Sequence, residues 1–143
     1  MGLFSDLFKK GEDPEQLCTD DVLGPMTWSE DDEAWFGDHN GRKFSLAYEW
    51  TKRPPDSLVT YAREVLHDAD WLASSLAGAK ERAKKECGDA YVAEIDALSL
   101  GRIHFYLHKG KRRIIANIDG GKDDRCWRIE YDDRTCEGMG FDR

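Results

Sequence analysis

The chain has 143 residues, with 21 Lys and Arg against 29 Asp and Glu, and so carries a formal net charge of −8. A hydrophobic fraction of 40%, with 5 Trp, 5 Tyr and 6 Phe, supplies enough large apolar units for one core and excludes wholesale disorder. The acidic balance argues against nucleic-acid binding, which needs cations to displace phosphate counterions. No run approaches the roughly 20 apolar residues of a bilayer-spanning helix, so stable membrane insertion is not expected.

The charge is uneven. Residues 1–33 hold ten acids and two bases, while residues 34–143 hold 19 of each. Met1 to Lys10 lacks the basic start, unbroken apolar run and cleavage site of a signal peptide, and a cytoplasmic protein is expected. Leu3, Phe4, Leu7 and Phe8 share one helical face that could dock on the domain, a partner or a membrane. Asp6 stands where a myristoylation signal has Ser or Thr. Residues 11–21 read as an acidic linker containing Pro14. The predicted organisation is therefore an amphipathic segment and linker over 1–21 and a single α+β domain over 22–143.

Val22 to Trp28 is a short strand candidate, kept to an edge or bend by Gly24-Pro25. Ser29 to Glu33 is a polar turn. Ala34–Asp38 and Lys43–Trp50 bracket Asn40-Gly41, a strong hairpin signal because both residues tolerate positive φ. Pro54-Pro55-Asp56-Ser57 then ends the strand and opens a helix. Leu58, Ala62, Val65, Ala69, Leu72, Leu76, Ala79 and Ala83 alternate four and three apart, which predicts one long helix closed at Gly88, with Gly78 as a point where it could kink. Its alanines suit close packing on a sheet better than a coiled-coil seam. Residues 89–98 form a short strand or a turn of helix. Leu100–His108, Arg113–Ile118, Cys126–Tyr131 and a segment near Met139 follow as a meander. The predicted fold is an antiparallel sheet, N-terminal hairpin plus C-terminal meander, packed against one long helix.

Few residues suggest chemistry. Cys18, Cys87, Cys126 and Cys136 lack metal-ligand spacing and read as reduced thiols, with a Cys126–Cys136 bridge across a terminal hairpin as the exception. His104 and His108 share a strand face with Tyr106 between them, but no third metal ligand is evident. Asp119 to Asp124, followed by Glu130, departs from a calcium loop at its glycine and at a ligand position. Lys109 to Arg113 is a local basic cluster that could touch phosphate, but in a net acidic chain it reads as a solvated turn or an intramolecular counterpart to the acidic segment. No nucleotide or hydrolase motif occurs. Neither cofactor, metal nor catalytic residue is expected.

One segment stands out. Glu30, Asp31, Asp32 and Glu33 are consecutive acids flanked by Trp28 and Trp35. Aromatics supply contact area and acids steer a basic partner, so these six residues are the candidate partner-binding site. Asp21-Val-Leu-Gly24 with Trp28, Leu100 to Phe105, Trp127 to Tyr131, and Gly138 to Asp142 resemble small acidic bacterial proteins of unknown function, some associated with toxin-immunity systems. That resemblance implies an immunity-type inhibitor that occludes a basic protein such as a toxin, and it transfers no catalytic residue. Two alternatives differ in class. One is a small-ligand or hydrolytic domain using His104, His108 and Asp132. The other is a structural subunit that oligomerises through the helix, whereas the inhibitor would be a monomer or small homo-oligomer.

Overall fold

The computed structural model describes residues 17–48 and 53–142. Its centre is an eight-stranded sheet whose spatial order follows the chain. β1 (Leu17–Asp20), β2 (Gly24–Ser29), β3 (Ala34–His39) and β4 (Arg42–Ala47) form one antiparallel meander. β5 (Ser99–His108), β6 (Lys111–Asp119), β7 (Cys126–Asp132) and β8 (Thr135–Asp142) form a second. The meanders join at β4 and β5, which pair in parallel, with Phe44 opposite Ile103 and Leu46 opposite Phe105. Parallel neighbours need a crossover. Here it consists of α1 (Asp56–Leu66), α2 (Ala69–Cys87), a 3-10 turn at Asp89–Tyr91 and α3 (Val92–Ala97).

This architecture overturns the expected one of a hairpin and a meander under a single long helix. The helical stripe is interrupted at His67–Asp68. Asp68 leaves helical geometry (φ −103°, ψ 72°), and its side chain accepts a hydrogen bond from the Trp71 amide at 3.1 Å. Such an N-cap starts a new helix. Arg134 holds the same carboxylate from the β7–β8 turn at 2.8 Å. Gly78, the expected kink, lies inside uninterrupted α2. Leu17–Asp20, assigned to the linker, is a strand paired with β2. The amphipathic face at Leu3 to Phe8 lies outside the described residues.

Strand alternation puts one sheet face against the helices. Trp28 and Trp35, Phe44 and Leu46, Ile103 and Phe105, Ile114 and Ala116, and Ile129 and Tyr131 follow one another across the registers. Leu58, Tyr61, Ala62 and Val65 of α1, Ala79 and Ala83 of α2, and Ile95 of α3 close the same core. Two buried carboxylates fasten its ends. Asp20 pairs with Arg63 of α1 and accepts from the amides of Val22 and Leu23, both at 2.9 Å. Glu94 of α3 pairs with Arg125 and accepts from the Lys122 amide at 2.9 Å and the Trp127 indole at 2.6 Å. Among the described residues no helix is long and apolar enough to cross a membrane.

Candidate functional site

The β2–β3 connection carries the acidic run. Glu30, Asp31, Asp32 and Glu33 are all exposed. The loop is fixed from both sides. The Trp28 indole donates to Glu30 Oε1 at 3.1 Å, the Ser29 hydroxyl donates to Asp32 Oδ2 at 3.0 Å, and the Tyr48 amide donates to the Glu33 carbonyl at 3.3 Å. Glu33 itself has φ 51°, the conformation that lets the chain turn back into β3.

The two tryptophans behave differently from the acids they flank. Trp28 and Trp35 are directly opposed in the β2–β3 register, and both point under the helices. Trp35 is fully buried and Trp28 is 6% exposed, their rings meeting edge to face at 5.5 Å. They are core residues, so a surface of six residues reduces to four acids. The exposed apolar side chains at this end of the sheet are Leu17, at the start of β1, and Tyr48, directly after β4. Leu17 falls in the expected linker, and period two with Phe44 and Leu46 predicts Tyr48 on the buried face. Tyr48 is instead exposed because the strand ends at Ala47, so the alternation does not extend to it.

Six arginines elsewhere are each matched by a carboxylate. Arg63, Arg112, Arg113, Arg125, Arg128 and Arg134 pair with Asp20, Asp133, Glu137, Glu94, Asp142 and Asp68 respectively. Within the basic turn, Arg112 pairs with Asp133 of the β7–β8 turn and reaches Glu64 of α1 at 3.4 Å, and Arg113 pairs with Glu137 of β8. Among the ion pairs of the described residues, none involves Glu30, Asp31, Asp32 or Glu33.

The sheet face away from the helices holds the histidine of the alternative reading. His104 Nδ1 lies 2.6 Å from the Ser45 hydroxyl, its β4 register partner, and Nε2 lies 2.9 Å from the Asn117 side chain on β6. Burial pushes its pKa below the ordinary value, Arg102 adds to that effect, and Asp32 opposes it. Arg102 lies over the Phe36 ring at 4.7 Å and donates to the Phe44 carbonyl at 3.0 Å. Ser45 is fully buried, so the serine–imidazole contact is closed to a substrate. No hydrogen bond among the described residues joins His104 to His108 or Asp132. His108 sits at the far end of β5 opposite Lys111, and Asp132 is opposite Arg113.

No group of three or more His, Cys, Asp or Glu side chains among the described residues could hold a metal ion. The four cysteines are free thiols. Cys126 pairs in register with Asp142 and Cys136 with Tyr131, which separates them along the hairpin by far more than the roughly 7 Å a disulfide tolerates between Cα atoms. The possible Cys126–Cys136 bridge is thereby ruled out in this fold. Comparison with protein-family models, curated proteins and solved structures finds no match.

Proposed function

We propose that the chain is a non-catalytic, cytoplasmic interaction module of the immunity type, which uses its acidic β2–β3 turn to bind and occlude a basic protein. The observation that carries this reading is that no ion pair among the described residues involves Glu30, Asp31, Asp32 or Glu33, four consecutive exposed acids, whereas Asp20, Asp68, Glu94 and Asp133 each hold an arginine. Clustered carboxylates of one sign repel each other and are stabilised by an incoming cation. They also raise the rate of encounter with a basic surface. Glu30 and Asp32 are held by Trp28 and Ser29, so the charges are presented in a set arrangement. Leu17 and Tyr48 add apolar area beside them.

The test compares the wild-type chain with a variant in which Glu30 and Glu33 become Gln and Asp31 and Asp32 become Asn. Both are used to capture proteins from the native host, and the association rate of the retained protein is measured against salt. The expected result is a basic partner whose association slows about tenfold, both on neutralisation of the turn and on raising salt. An equal rate for both forms, without salt dependence, defeats the reading.

A further inference from the structure

At the end of β3 and β4 opposite the acidic turn, the helix-covered face ceases to be apolar. His39 and Arg42 are a cross-strand pair, and alternation from Gly37 and Phe44 directs both toward the helix layer. The break between α1 and α2 leaves a corner above them, a cavity of about 620 Å³, within the range that holds a small organic ligand. Its apolar wall is Leu66, Leu72, Leu76 and Leu100. Leu72 and Leu76 of α2 and Leu100 of β5 are only partly buried and line the cavity.

The polar rim is Arg42 with His39, Asn40, His67 and Ser99. His67, at the end of α1, brings Nε2 to 3.1 Å from His39 Nε2, with the ring centroids 4.9 Å apart. Arg42 donates to the Leu100 carbonyl at 3.1 Å. No Asp or Glu lines the cavity. Arg63, Arg112 and Arg134 each pair with a carboxylate, whereas the described hydrogen bond of Arg42 goes to a neutral carbonyl. A guanidinium on an apolar cavity is matched by a carboxylate, whose two oxygens fit its planar donors.

We infer that this cavity binds a small amphipathic carboxylate. Its head meets Arg42 and the His39–His67 pair, and its hydrocarbon lies along Leu66, Leu72, Leu76 and Leu100. The site is at the far end of the strands from the acidic turn, so it stands or falls independently of the interaction reading.

Decanoate and decanol are the probes, titrated into the full chain below the micellar concentration and followed by calorimetry and leucine-methyl NMR. Saturable one-to-one binding of decanoate is expected, with shifts at Leu72, Leu76 and Leu100. Decanol is expected to bind at least tenfold more weakly. Arg42→Gln should weaken decanoate binding at least tenfold. His67→Gln, at an exposed helix end, is the second variant should Arg42→Gln not fold, and is expected to weaken binding several-fold. No saturable binding, equal binding of decanol, or undiminished binding in the folded variants would overturn the inference. So would binding that appears only after residues 1–10 are removed, which would give the cavity to the chain's own apolar segment.

Discussion

Replacing Glu94 with Gln should destabilise the protein by about 3 kcal/mol at neutral pH. The carboxylate is 4% exposed and accepts from Arg125, from the Lys122 amide and from the Trp127 indole. The Arg125 guanidinium is the main cause of a pKa lowered from 4.5 to about 2, with the Lys122 and Trp127 hydrogen bonds adding to it against the opposing effect of burial. At about 1.4 kcal/mol per pH unit that interval is worth ~3 kcal/mol, and removing one partner of a buried ion pair typically costs roughly 3–5 kcal/mol. For a chain of this size the melting temperature should fall by roughly 10 °C. The pH dependence has a definite sign. A depressed carboxyl pKa contributes stability that is complete above 4.5 and is lost as pH falls toward 2. Urea unfolding of wild type and Glu94→Gln across this range should therefore show a gap that is constant near neutrality and closes in acid. A neutral-pH difference below about 1 kcal/mol, or one that persists unchanged in acid, would refute the proposed role of the carboxylate.

Asp20→Asn should cost roughly 1–2 kcal/mol and follow the same acid window, because Arg63 and the amides of Val22 and Leu23 hold this carboxyl down to about 2; urea midpoints at neutral and acid pH check it. Trp35→Ala should cost roughly 3–5 kcal/mol as a fully buried truncation, whereas neutralising Glu30 to Glu33 should change thermal stability by no more than about 0.5 kcal/mol. Similar losses from both would return the tryptophan to the surface. Gly121→Ala would place a Cβ 2.4 Å from the Arg125 carbonyl and 2.8 Å from the Trp127 ring, and a loss of roughly 1–3 kcal/mol is expected in thermal melts.

Local signals in the sequence located most elements and misjudged their assembly. Asn40-Gly41 marks its turn because both residues take positive φ, 52° and 82°, a constraint that no distant contact alters. The strands from β5 to β8 are likewise bounded by their own turn residues. The four-three spacing of Leu58 to Ala83, by contrast, reports which side of a helix is apolar and not whether the helix is continuous. One Asp68 side chain on the Trp71 amide breaks it without disturbing the spacing. β1 was hidden for a different reason. Its Leu-Cys-Thr-Asp sequence is too short and polar to show alternation, and it becomes a strand through β2 and the Asp20–Arg63 pair. The parallel join of β4 to β5 depends on residues about sixty positions apart, which no local pattern encodes.

The candidate site divides along the same line. Adjacency in sequence grouped Trp28, the four acids and Trp35 into one surface, but a hairpin separates what it connects. Opposed strand residues face the same way, so both indoles enter the core together, while the connection between them projects beyond the sheet. The acids were legible because a turn exposes whatever it contains. The cavity was not, because His39 and Arg42 flank a turn that explains them locally, and His67 joins them only through the break that the periodicity concealed. Both surfaces follow from where apolar alternation stops. At one end of β2 and β3 it gives way to carboxylates with no ion pair among the described residues, and at the other end of β3 and β4 to an arginine with no carboxylate among the residues lining its cavity. These two ends carry the two proposals, a basic protein at the acidic turn and a small carboxylate at the Arg42 cavity.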